Sequence, residues 1–358
     1  MRGAEAVPLV CFWEGNKMIT IADLCALDQS LKILKGEQTD SVSTISSLNV
    51  FIENSLLFIG SKKFHKAYME SDNLDGTEAV ILDAKLWDSL EQDHKKDIED
   101  KSRLVMTVSN TAMAMSKLSG VFYKLKYDPL NFQVDGRKMG SASVHPSVKV
   151  AENVFIGEDV TIEEDVTIMP GVTILPNVKI GKNTIVFPNV TIYPFVEIGS
   201  DCRIHSGTTI GADGFGYNYA DGVHHKVWHF GGVKIGNAVE IGSNVSIDQG
   251  TFSPTTIGDG AKIDNLVQIA HNVEIGPGVL LCGQVGTAGS AKIGPFSVFG
   301  GKAAISDGIE IGAGVQVAGA AVVTTNWGDG EKLGGYPARP IKEWMRGMAF
   351  IRKNSGKK

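Results

Sequence analysis

Between Val144 and Val323 an apolar residue returns at nearly every sixth position. Val144, Val150, Ile156, Ile162, Ile168, Ile174, Ile180, Val186, Ile192, Ile198, Ile204 and Ile210 are twelve β-branched residues in unbroken register. The register breaks over 211–234, returns at Ile235, Ile241 and Ile247, slips by four residues at TFSP (251–254), and then runs from Ile257 to Val323. Within that last run Thr287 alone is polar. Four residues after most of these positions stands a second small or branched residue, as at Val154, Val160, Cys202 and Thr208, and turn formers fill the rest. A hexapeptide period marks a parallel β-helix. Three hexads make one coil of 18 residues, so twelve, three and twelve hexads predict about nine coils, stacked over roughly 43 Å at ~4.8 Å per coil. The apolar stack is consumed inside such a solenoid, which leaves the outer faces and the breaks for function.

Before residue 140 the pattern is different. Apolar runs (SLLFIG, EAVILDA, RLVMTVS) alternate with helix-like segments (ADLCALDQSL, KKFHKAYMES, LWDSLEQDHKKDIED, NTAMAMSKLSGVFY), the last opening on Asn110 as an N-cap. This predicts an α/β domain over 18–140, a β-helix over 141–325 and a helical tail over 326–358, with residues 1–17 set apart as an extension. The tail is basic: residues 341–358 carry six Lys or Arg against one Glu.

Composition narrows the function classes. A net charge of -6 argues against nucleic acid as a partner, because phosphate binding needs a basic surface. Four cysteines without a CxxC pair suit a reducing compartment and supply no thiolate zinc site. No stretch reaches the ~18 apolar residues of a membrane span. The expectation is a cytoplasmic protein whose contact with the inner membrane, if any, is peripheral.

The α/β domain, the hexads, the loop IGADGFGY, the segment IDNLVQIAHNVEIG (263–276) and the basic tail together resemble the UDP-3-O-(3-hydroxyacyl)glucosamine N-acyltransferases of lipid A synthesis. GADGFGY (211–217) and IDNxxQIAHN (263–272) carry most of the resemblance, which starts near Met18. It implies a left-handed β-helix and a homotrimer. It also implies transfer of a (3R)-3-hydroxyacyl group from acyl carrier protein to the 2-amine of UDP-3-O-acylglucosamine, giving UDP-2,3-diacylglucosamine. The 4'-phosphopantetheine arrives on the carrier, so neither a bound cofactor nor a metal is expected.

Acyl transfer to an amine needs a base to expose the lone pair and fixed donors to meet the oxyanion. His271 stands two residues after the inward Ile269, at an outer position of its hexad. Counting 18 residues onward puts Gly289 beside it and Asp307 one coil further. A glycine there offers a bare backbone N–H next to the base. The resemblance assigns His271 as general base, Gly289 as oxyanion donor, Asp264 as the acid that orients the imidazole, and Gln268 as a further polar contact. It assigns Phe58 and Phe64 to the uracil, with Ser61 and Lys63 near the nucleotide, although two phenylalanines equally suit a core. In the same reading Asp213, Phe215 and Tyr217 of the GADGFGY loop would shape the sugar or phosphate pocket. Lys342, Arg346, Arg352 and Lys353 would meet the acidic carrier protein. The chain departs from the pattern at Gly308, where many relatives carry a second histidine, and at Gln249, where they carry arginine.

Three other readings remain on the sequence. A sister O-acyltransferase acting on UDP-N-acetylglucosamine shares the coil and the base but lacks the N-terminal domain. A zinc hydratase of the γ-carbonic-anhydrase type would use His224 and His229, which have the five-residue spacing and stand near His225, but they fall in the loop insertion and no third histidine completes the pattern. A solenoid can also be a scaffold without catalysis.

Overall fold

The computed structural model describes residues 18–48, 50, 52–71 and 78–355. The extension 1–17 lies outside the described residues. The described chain forms two compact units, one ending at Leu125 and the other starting at Lys126.

The first unit is built on a five-stranded sheet in the order Lys32–Lys35, Leu104–Val108, Ala79–Asp83, Ser55–Ile59, Thr44–Ile45. All pairings are parallel except the Lys32–Lys35 edge. The central strands read as continuous apolar runs because helices cover such sheets, and Leu57, Ile59, Val80, Leu82 and Val105 are buried together with Tyr68 and Ile98 of the helices Lys62–Met69 and Gln92–Lys101. The long helix Thr111–Tyr127 starts as expected, with the Asn110 side chain accepting from the Met113 amide at 3.1 Å. Phe58 is the last residue but one of the strand Ser55–Ile59, and Ser61 caps the next helix, accepting from the Phe64 amide at 3.4 Å. Phe58, Ser61, Lys63 and Phe64 thus sit at the carboxyl end of a parallel strand, where open α/β sheets present ligand sites. Phe58 is half-buried and Phe64 is 54% exposed, so neither is a core residue.

The second unit is the parallel β-helix expected from the hexads. Three sheets run along it: two of nine parallel strands, and a third of nine extended by Lys332–Gly334 and an antiparallel Arg339–Pro340. Partners are 18 residues apart within each unbroken run, as for Ile156 with Ile174 and Ile269 with Thr287, so the hexad count gives the nine coils. The inward residues are buried in one continuous core. The third residue after the inward position takes a left-handed conformation through most of the coils, at φ from 54° to 74°. Asn, Asp and Gly tolerate that conformation at lowest cost, which explains their recurrence in the sequence. Thr287, the polar member of the last run of sixth positions, is buried and accepts from the Ala270 amide at 3.2 Å.

The breaks have structure too. Residues 217–226 form an antiparallel hairpin, Tyr217–Ala220 with Val223–Lys226. The chain closes with a helix, Ile341–Asn354, on which Lys342, Arg346, Arg352 and Lys353 are all exposed. No helix among the described residues is long and apolar enough to cross a membrane.

Candidate active site

His271 follows the strand Gln268–Ile269 and precedes Asn272, whose φ of 58° is the left-handed turn of that hexad. The turn throws the Asn272 side chain back over the coil, where three groups converge on it. Its Oδ1 accepts from the Thr251 amide (2.9 Å) and hydroxyl (2.7 Å), while its Nδ2 donates to the Ser253 carbonyl (2.9 Å). Those bonds fix which end of the amide is oxygen. His271 Nδ1 lies 3.1 Å from that same Oδ1, so it must carry the proton and donate. Its Nε2 is left with a free lone pair, the tautomer a general base requires. The four-residue slip at TFSP supplies both Thr251 and Ser253, so the irregularity in the repeat is the support for the base.

The far edge of the ring meets Gly289. A Cβ built there would stand 2.7 Å from both Cε1 and Nε2 of His271 and 3.1 Å from Asp307 Oδ1. A side chain in that position would have to displace the imidazole, and the Gly289 N–H has no partner among the described residues. The count of 18 therefore places Gly289 directly against the His271 ring.

Asp264 is placed elsewhere. It is exposed, its Oδ1 accepts from the Asn265 amide at 2.7 Å, and it lines a separate depression with His205, Glu240 and Cys282. Within this chain the group that orients the imidazole is Asn272 rather than Asp264. The acid beside the base is Asp248, which follows an inward isoleucine in an ordinary hexad and carries no motif of its own. Gln268 Nε2 donates to its Oδ1 at 3.2 Å. Burial pushes the Asp248 carboxyl up to about 6, against the lowering pull of the Gln268 bond and of His271, with a small further rise from Asp213.

The loop 211–217 lies alongside. Asp213 pairs with Lys226 and sits 3.5 Å from His229 Nδ1. Phe215 is 85% exposed and meets Tyr217 edge-on, with ring centroids 5.1 Å apart. His224 packs against Tyr219 on the exposed hairpin, whereas His229 is wholly buried and meets the His271 ring, so these two histidines face different environments. Among the described residues no three His, Cys, Asp or Glu side chains converge as metal ligands would.

The two departures have plain surroundings. Gln249 is buried and accepts from the Tyr127 hydroxyl at 2.9 Å, a place where an arginine would need a counter-charge. Gly308 is left-handed at φ 64°, and a Cβ there would meet nothing within 4 Å.

Coils of hexads with a free imidazole on an outer face define a class, and the comparison with known proteins bears on it directly. The model "Bacterial transferase hexapeptide (six repeats)" matches residues 159–192, 177–212 and 254–289. The segment that aligns with curated proteins is similar to UDP-3-O-acylglucosamine N-acyltransferases. A probable UDP-3-O-acylglucosamine N-acyltransferase 2, mitochondrial, of Arabidopsis thaliana is 49% identical over 151 residues, which is 42% of this chain and 49% of that protein. The UDP-3-O-acylglucosamine N-acyltransferase of Helicobacter hepaticus is 47% identical over 150 residues, 42% of this chain and 46% of its own length. The chain thus spans about half the length of the curated relatives it matches. Among solved structures, a UDP-N-acetylglucosamine O-acyltransferase from Moraxella catarrhalis aligns at 25% identity and a TM-score of 0.46, covering 57% of this chain and 77% of that one.

Proposed function

We propose that the protein transfers a (3R)-3-hydroxyacyl group from acyl carrier protein to the 2-amine of UDP-3-O-acylglucosamine. The observation that carries this reading is the His271–Gly289 pair: a lone pair freed at Nε2 by the Asn272 bond, against a glycine whose N–H has no partner among the described residues. It is supported by the identity of the relatives' names over the aligned segment.

The chemistry follows from the geometry. Nε2 of His271 takes a proton from the attacking 2-amine as the nitrogen forms a bond to the thioester carbonyl carbon. The C=O electron pair moves onto oxygen, where the Gly289 N–H stabilises it. The tetrahedral species collapses, the C–S bond breaks, and the thiolate leaves with the proton held on the imidazolium. Gln268, Asp213, Phe215 and Tyr217 border this centre and would hold the sugar and phosphates. Phe58 and Phe64 would stack the uracil beside Ser61 and Lys63. Lys342, Arg346, Arg352 and Lys353 form a cationic face suited to the acidic carrier. A homotrimer and a cytoplasmic setting belong to the same reading.

The test is transfer from 3-hydroxyacyl carrier proteins of graded length, with UDP-3-O-acylglucosamine and UDP-N-acetylglucosamine as competing acceptors. Product from the first acceptor supports the proposal. Transfer only to UDP-N-acetylglucosamine, or to neither, removes it.

A further inference from the structure

His229 is the buried side chain that the proposed chemistry leaves unused. It is fully shielded from solvent in the segment between the hairpin and the returning coils. Its Nδ1 is 2.9 Å from the Val227 carbonyl, which can only accept, so Nδ1 carries the proton. Nε2 is therefore a bare acceptor, and it is buried without a hydrogen-bond partner. Leaving a buried acceptor unsatisfied costs more than burying a hydrocarbon of the same size. The ring's neighbours show what it does.

Two glycines of the 211–217 loop lie on it. A Cβ on Gly214 would stand 2.7 Å from His229 Nε2 and 2.8 Å from His271 Cβ; one on Gly216 would stand 2.7 Å from His229 Cε1. The loop backbone thus rests on the imidazole, and Gly214 is wedged between the two histidines. The rings themselves meet edge-to-face, 5.0 Å between centroids at 70°.

We infer that His229 is a positioning residue, an uncharged imidazole that seats the 211–217 loop and holds His271 against Gly289. This rests on the assignment of His271 as base. When His271 takes the amine proton, the new cation faces a neutral ring with a free lone pair, which does not oppose it. A protonated His229 would. The charged groups around His229 are Asp213, Lys226 paired to that aspartate, and His271; Asp248 lies near Asp213 and His271. Burial, and after it His271, pushes His229 down to about 4, which leaves it neutral at working pH.

The test has two arms. In the unmodified protein with ¹⁵N-labelled histidine, His229 should show the Nδ1–H tautomer and no protonation from about pH 8 to about pH 5. Protonation within that range overturns the inference. In the second arm His229→Ala should lower kcat roughly 10- to 100-fold with KM for both substrates within about threefold, and His229→Asn, which keeps a donor for Val227, should recover most of the loss. A folded His229→Ala variant with kcat within twofold of the unmodified enzyme overturns it as well. Should the alanine variant not fold, the tautomer measurement decides. If the unmodified protein transfers no acyl group, the proposed activity fails, while the ring-nitrogen arm still judges the positioning role.

Discussion

The two long runs of hexads are built from one rule and obey it differently. In the first, Asn153 to Gly207, every left-handed turn position is Asn, Asp or Gly except Phe195. In the last, Gly260 to Ala320, Leu266, Gln284, Ser290, Phe296, Lys302 and Ala320 occupy that position. A non-glycine side chain in the left-handed region costs roughly 1 kcal/mol or more, least for Asn and Asp. The first run minimises that cost, and the last accepts it six times. Leu266 and Phe296 are also 54% and 69% exposed, so their apolar side chains are not repaid by burial in the coil. The run that accepts local strain is the one that carries His271 and Gly289. Regular coils act as frame; the irregular ones give up stability for the surface they present.

This contrast can be broken in several places. The largest effect is expected at Gly289, where Gly289→Ala would force a methyl group within 2.7 Å of the imidazole. Turnover should fall at least ~100-fold, with little change in the thermal melt; an active alanine variant would show that the close approach is not used. In the first run the sensitivity is reversed. Ile180→Ala removes a buried inward side chain and should cost about 2–5 kcal/mol in denaturant unfolding, leaving kcat for the remaining folded enzyme unchanged. A smaller pair tests the turn rule: Asn183→Ala should destabilise and Leu266→Asn should stabilise, each by about 1 kcal/mol. No shift in either variant, or shifts of the reverse sign, would remove strain as the difference between the runs.

A pH comparison sharpens the same point. Asp248 has its pKa raised in the folded state to about 6, above the value of 3.8 for a free side chain. A group shifted upward contributes stability that is fully present below the unfolded pKa and is lost as pH rises through the folded one. Asp248→Asn should therefore gain stability relative to the unmodified protein at about pH 8 and gain none at about pH 4. Melting curves at the two pH values check this, and a gain that does not depend on pH would place Asp248 in a less buried setting.

Much of the frame was legible in the sequence. The period gives the coils, the inward core and, by counting 18, the meeting of His271 with Gly289. What the period could not show are contacts that leave it. Asn272 reads as one more turn former, and its bonds to Thr251 and Ser253 span 21 and 19 residues, an offset created by the slip at TFSP. Asp264 is conspicuous in the motif, yet it points to another depression, because a side chain seven residues before His271 lies in the preceding hexad and on a different sheet. His229 belongs to an insertion that has no repeat at all, so its approach to His271 had no register to be read from. Thr287 was visible as a break in the apolar rule, and its hydroxyl serves the Ala270 amide one residue before the base.

The central claim is that one imidazole, freed at Nε2 and set on a bare glycine, does the proton transfer. It is tested most directly by His271→Ala in the carrier-protein assay, with the melt recorded alongside. The account predicts a loss of about 10²- to 10⁴-fold in kcat, with the unfolding transition unmoved, since His271 sits outside the apolar core. Turnover within a few-fold of the unmodified enzyme, from a variant equally well folded, would contradict it.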